Sequence, residues 1–125
     1  MNQPERYECY VLEPDETKIK YVKDTKHEHS ATFTILKEDH TLGNAVRMQL
    51  LGDNRVLFAG YKIPHPLLNE LIIKVRTNGA TTPTNCLIDC VDALNMNVKD
   101  VESKFEAEIK KFKRSNGNMT TSSWR

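Results

Sequence analysis

A chain of 125 residues has room for one modest hydrophobic core and not for two. Its 38% hydrophobic and 7% aromatic content falls below the usual share of a self-sufficient domain, a hint that a partner completes the core. With 18 basic against 17 acidic side chains and a net charge of +1, no global field exists to gather nucleic acid, an anionic membrane or acidic substrates.

The opening Met1-Asn2-Gln3-Pro4-Glu5-Arg6 has no apolar h-region, so no secretory signal is expected. No window approaches the ~18 apolar residues of a membrane span. Cys9, Cys86 and Cys90 are odd in number and have no framework spacing, which fits reduced thiols in a cytosolic or nuclear protein. Residues 1–17 read as a mixed acidic lead-in. From Lys18 to Val22, Ile19 and Tyr21 alternate with lysines as in a short strand, and Asp24 to Ser30 is charged and loop-like.

Ala31-Thr32-Phe33-Thr34-Ile35-Leu36 alternates apolar residues with threonine, the pattern of a half-buried strand. A helix follows, with Thr41 as the expected N-cap and Glu38 and Asp39 just upstream, where the positive helix end favours them. Leu42, Ala45, Val46, Gln49 and Leu50 fall at helical spacing, and Leu51-Gly52 marks the stop, with Gly52 expected in the left-handed cap position. Asp53-Asn54 turns the chain into a strand from Val56 to Ile63. The loop Pro64-His65-Pro66 cannot continue a ladder, because proline lacks the donor. A further strand, Leu71 to Thr77, is closed by Asn78-Gly79, and Thr82-Pro83 opens a second helix with proline at its first position.

That last helix carries a heptad seam. Leu87, Val91, Leu94, Val98, Val101 and Phe105 are spaced alternately four and three residues apart, and Ile109 and Phe112 continue the seam after a small phase shift. Asp89, Asp92, Lys99, Asp100, Glu102, Lys104, Glu106, Lys110 and Lys111 occupy other positions. From Pro83 to Lys113 the helix spans about 31 residues, or ~46 Å. An eight-residue strand reaches only ~26 Å, so a small sheet covers about half of such a helix. Flanked by Ile88, Cys90 and Ala93, the first half suits packing on a sheet; beyond Val98 the stripe narrows to the coiled-coil type. Val101, Phe105 and Ile109 would each lose ~1.5–3 kcal/mol in water, so the overhang asks for a partner surface, the alternative being a fold-back onto the first helix and the N-terminal segment.

Chemistry-bearing constellations are sparse. His27-Glu28-His29 and Cys86-x-x-x-Cys90 do not make four convergent zinc ligands, and read as a solvated loop and core-lining thiols. Asp39-His40-Thr41 reads as a capping segment. Glycines 43, 52, 60, 79 and 117 never cluster into a phosphate cradle, and no nucleophile elbow occurs. No cofactor or metal is therefore expected, nor an enzyme. Asn118-Met119-Thr120 matches a glycosylation sequon by chance. Lys110-Lys111-Phe112-Lys113-Arg114 is a basic run that suits a helix C-terminus, with nucleic-acid contact or nuclear import as the alternative. Residues 115–125 read as a disordered polar tail after a domain of residues 1–114.

Lys37-Glu38-Asp39-His40-Thr41-Leu42-Gly43-Asn44, together with Val56-Leu57-Phe58-Ala59-Gly60-Tyr61-Lys62-Ile63-Pro64-His65-Pro66, resembles the α-like small subunits of multisubunit RNA polymerases. Relatives of that family are archaeal subunit L and the bacterial α N-terminal domain. The likeness runs from about residue 1 to about residue 113. Lys62 and the opening residues look more like the polymerase II branch than the subunit shared by polymerases I and III. The resemblance implies an α+β fold, in which two helices back a small antiparallel sheet of about four strands and the long C-terminal helix serves heterodimerisation. It implies a non-catalytic nuclear subunit that pairs with the larger α-like (third) subunit and nucleates assembly with the second-largest and other small subunits. Nucleic acid would be met only through the assembled complex, and no membrane is involved. The interface would comprise Leu42, Asn44, Val46 and Leu50 of the first helix and Leu94, Val98, Val101, Phe105, Ile109 and Phe112 of the second.

Overall fold

In a computed structural model, which describes residues 3–116, a 3-10 helix at Arg6–Cys9 precedes six regular elements. These are β1 (Ile19–Lys23), β2 (Ser30–Leu36), α1 (His40–Leu51), β3 (Val56–Lys62), β4 (Glu70–Thr77) and α2 (Pro83–Ser115). The strands form one antiparallel sheet in the order β1-β2-β4-β3, so the fold is α+β with two helices, as expected.

Alternation along the strands sorts their side chains to two faces. Ala31, Phe33 and Ile35 of β2 and Leu71, Ile73 and Val75 of β4 fill the inner face, joined by Ala59 of β3. Their partners across the ladder match apolar to apolar: Phe33 lies opposite Ile73, and Ile35 opposite Leu71. A one-residue slip would bring Thr32 and Thr34 inward, so burial of this face fixes the register. Both ends of β2 are turned by non-glycine residues in the left-handed region, His29 and Lys37, each with φ 60°. Gly79, with φ 93°, makes the turn after β4, and Thr82 Oγ1 accepts from Asn85 N at 3.2 Å to open α2.

Two details of α1 depart from expectation. Its cap is Asp39, whose carboxylate accepts from Thr41 N at 2.9 Å; Thr41 already lies inside the helix. An ionised oxygen is the stronger acceptor and sits at the positive helix end. Gly52 ends the helix with φ −77°, in the right-handed region, its N–H bonding back to Gln49 O. A tightened last turn thus satisfies the end carbonyls without a left-handed residue.

The chain divides into two compact units, Met1–Leu94 and Asn95–Arg125. The first holds the sheet, α1 and the opening turns of α2. In the second, every residue from Asn95 to Ser115 is exposed. Among the described residues no helix is long and apolar enough to cross a membrane. The tail expected at 115–125 falls mostly outside the described residues: Ser115 closes α2, Asn116 is a turn, and Gly117 onward, with the sequon, is not described.

Candidate partner interface

The first turn of α1 is a small structured cluster. His40 Nδ1 and the Tyr61 hydroxyl are hydrogen bonded at 2.9 Å, and the two rings meet edge-on with centroids 5.6 Å apart. Arg47 lies over the Tyr61 ring, with its guanidinium carbon 5.5 Å from the ring centroid, and donates from Nη2 to Asn44 Oδ1 at 2.8 Å. Asn44 is exposed, and its amide oxygen is engaged by Arg47.

Gly43 makes this arrangement possible. A Cβ there would fall 2.6 Å from Tyr61 Cδ2 and 2.8 Å from Leu71 Cδ1. Glycine in a first helical turn normally disfavours the helix by ~1 kcal/mol, so a steric demand outweighs propensity here. The demand comes from the chain's own Tyr61 on β3 and Leu71 on β4.

The faces of α1 then separate. Val46 and Leu50 are 1% and 0% exposed and pack into the chain's own core, which removes them from the expected interface. Both are apolar at helical spacing, and spacing alone does not tell a core face from a partner face. Leu42 is half-buried against the same core. The bare face of α1 is Asn44, Met48 and Leu51, at i, i+4 and i+7, with Met48 and Leu51 more than half exposed. Met48 and Leu51 lie outside the set of residues expected from sequence at the interface.

On α2 the buried side chains are Pro83, Cys86, Leu87 and Cys90, and Leu94 is partly buried against the core. Val91, expected in the part reached by the sheet, is instead exposed, because it stands about 100° round the helix from Cys90. Cys90 Sγ donates to Val46 O at 3.5 Å. Burial pushes the Cys90 thiol up to about 11 and raises that of Cys86, so both stay protonated at neutral pH. Arg55 ties the turn before β3 to the helix, bonding Asp53 at 2.8 Å and Asp89 at 2.9 Å.

Further along α2, Val98, Val101 and Phe105 are each about two-thirds exposed, and Ile109 and Phe112 are exposed at 37% and 45%. Asp100 and Lys104 pair at 2.9 Å, and Lys111 with Glu108 at 3.8 Å, so charges flank a narrow apolar stripe. Lys113 and Arg114 lie in the last turn, where cations suit the helix end. No group of three or more His, Cys, Asp or Glu side chains converges on a metal position among the described residues.

Residues 30–104 match the family described as the RNA polymerase Rpb3/Rpb11 dimerisation domain. Over 111 residues, which span 89% of this chain and 92% of the relative, there is 41% identity to the DNA-directed RNA polymerase II subunit rpb11 of Dictyostelium discoideum. A probable RNA polymerase II subunit RPB11 from Caenorhabditis elegans is 44% identical over 89% of this chain and 90% of its own length. The Schizosaccharomyces pombe RNA polymerase II subunit RPB11 is 43% identical over 86% and 87%. The solved structure of DNA-directed RNA polymerase subunit L from Thermoplasma acidophilum superposes with a TM-score of 0.62, covering 83% of this chain and 99% of that one. Identity to it is 24%, so this last likeness speaks for the fold.

Proposed function

The chain belongs to the Rpb3/Rpb11 dimerisation-domain family of RNA polymerase subunits, and from that premise we propose that it is a structural, non-catalytic subunit of DNA-directed RNA polymerase II. It forms an α-like heterodimer with the larger, Rpb3-type third subunit, and the pair seeds addition of the second-largest subunit and the other small subunits. Its place of work is the nucleus, in transcription of messenger RNA, and nucleic acid reaches it only through the assembled complex.

The observation that carries this reading is the α2 stripe. Val98, Val101 and Phe105, about two-thirds exposed, would each gain ~1–2 kcal/mol on full burial. A narrow a/d-type stripe between charged flanks is the form of surface that a second helix covers. Leu94, Val98, Val101, Phe105, Ile109 and Phe112 are assigned to this contact. Asn44, Met48 and Leu51 form the contact surface of α1, with Leu42 at its margin.

Expressed alone, the chain should self-associate at micromolar concentration in light scattering. Co-expression with the larger α-like subunit should give a soluble one-to-one pair. Purification of the tagged chain from its own cells should recover the large subunits of polymerase II. Recovery of polymerase I or III large subunits would instead assign the chain to the subunit those two enzymes share, and a stable lone monomer would count against the stripe as an interface.

A further inference from the structure

Core side chains of both helices pack on the inner face of the sheet, and no helix covers the outer one. Residues opposite one another in the ladders share a face. The register therefore lays out the outer face in rows across the strands. One holds Lys20, Thr34, Ile72 and Lys62, the next Val22, Thr32, Lys74 and Gly60, and the last Ser30, Arg76 and Phe58. None of these rows contains an acidic side chain. Acids stand at the margins: Asp24 beside Lys74 at 3.5 Å, Glu38 held by Lys18 at 2.9 Å, and Glu70 opposite Leu36. Lys20, Lys62 and Arg76 are exposed and enter no ion pair among the described residues. A net charge of +1 over the whole chain thus conceals a one-sided basic face.

An irregularity in the ladder puts an aromatic ring on this face. Val56 lies opposite Thr77 and Phe58 opposite Arg76, so Leu57 is an extra residue on β3. In an unbroken register Phe58 would stand opposite Val75 and join the core. The bulge turns it outward instead, where it stays 50% exposed. Its ring leans along the strand: a Cβ at Gly60 would meet Phe58 Cζ at 3.1 Å and Cε1 at 3.5 Å. Arg76, Lys74 and Lys62 follow one another beside or beyond the ring in successive rows, ~7 Å apart along the strand direction. Next to Arg76 the loop after β1 extends the positive field. A cavity of about 390 Å³ there is lined by Lys26, His27, His29, Leu57 and Arg76, with Glu28 as its acidic member.

Ring and cations together select the occupant. A purely acidic peptide matches the cations and leaves the ring in water. A nucleic-acid duplex offers phosphates but keeps its bases stacked inside. A single strand supplies both, phosphates for a basic track and a free base face for an aromatic side chain.

We propose that the outer face of the sheet binds single-stranded nucleic acid, with a base stacked on Phe58 and the flanking phosphates held by Arg76 and Lys26 on one side and by Lys74 and Lys62 on the other. In the cell the strand arrives with the assembled enzyme, and the face itself belongs to this chain. This contact is separate from the pairing surfaces of α1 and α2 and does not rest on them.

The test uses the full chain co-purified with its larger α-like partner, and labelled ten-nucleotide oligothymidylate and oligouridylate in fluorescence anisotropy. Both should bind saturably, and the tighter of the two identifies DNA or RNA as the strand. Log affinity should fall with log salt at a slope of about −2, as for about three phosphates neutralised on a single strand. Phe58→Ala should weaken binding about tenfold at an unchanged slope, and Phe58→Tyr should keep it. Lys74→Gln/Arg76→Gln should make the slope shallower by about 1.4. A strand carrying 5-iodouracil should photocrosslink to the peptide that contains Phe58, which separates this face from any site on the partner. Pairing is read independently, by co-purification of each variant. Absence of saturable binding below about 100 µM, crosslinks confined to the partner, or an affinity unchanged by Phe58→Ala would overturn the proposal. So would a duplex of the same length that binds equally well. Polyglutamate that competes as strongly as the strand would also overturn it, by making an acidic protein the occupant.

Discussion

Replacing Gly43 by alanine sets two effects of similar size against each other. In an unconstrained helix the change is worth ~1 kcal/mol in favour of alanine. Here the new methyl would meet Tyr61 Cδ2 at 2.6 Å and Leu71 Cδ1 at 2.8 Å. Leu71 can move a terminal methyl aside, but the Tyr61 ring is held by His40 at 2.9 Å and lies beneath Arg47. Forcing an extra carbon into a packed site costs about 1–3 kcal/mol, and loss of the His40–Tyr61 bond adds ~0.5–1.5 kcal/mol. The balance is a destabilisation of about 0.5–3.5 kcal/mol, read as a lower urea midpoint with unchanged slope. A double-mutant cycle isolates the cause: in a Tyr61→Leu background the cost of Gly43→Ala should shrink by about 1 kcal/mol or reverse. If Gly43→Ala stabilises the protein, or costs the same in both backgrounds, the ring is not what requires glycine.

Four further outcomes are expected. Asp39→Ala should cost ~0.5–2 kcal/mol in a denaturant melt, because it removes the cap of α1, whereas Thr41→Ala should stay within ~0.5 kcal/mol. Leu87→Asp should abolish soluble protein even with the partner present, because Leu87 is 9% exposed in the core. Val101→Asp, at a position 67% exposed, should leave circular dichroism unchanged and prevent co-purification, with Glu102→Ala as the neutral control. Arg55 holds the Asp53 carboxyl below its ordinary value, first through its side chain and then through its backbone N–H. A depressed carboxylate contributes stability above its unfolded pKa and loses it as pH falls through the lower folded value, so an acid melt below about pH 4 should be less steep in Asp53→Asn.

The elements themselves were legible in the residues. Alternation gave β2 and β4 to within one residue, and the long α2 was found from Pro83, because proline and a four-three apolar repeat are strong local signals. What failed was phase. Val46 and Leu50 look like a partner face by spacing yet fill the core, while Met48 and Leu51 on the adjacent face stay bare. On α2, Val91 belongs to the heptad line but misses the burial line through Cys86 and Cys90. Hydrophobicity records only that a side chain avoids water; whether its cover comes from the same chain depends on which face meets the sheet. The Gly43–Tyr61 packing and the Arg55–Asp89 pair lie 18 and 34 residues apart in sequence, beyond any local pattern.

The three thiols differ in their access to solvent in a way that makes the chain its own gauge of local opening. Cys9 is exposed, whereas Cys86 and Cys90 are buried with their thiolates suppressed, Cys90 the more strongly. An alkylating reagent, which attacks the thiolate, should therefore mark Cys9 at once and reach the other two only when the first turns of α2 leave the core. The labelling rate of Cys90 then reports the free energy of that separation, with no probe added and Cys9 as the internal clock.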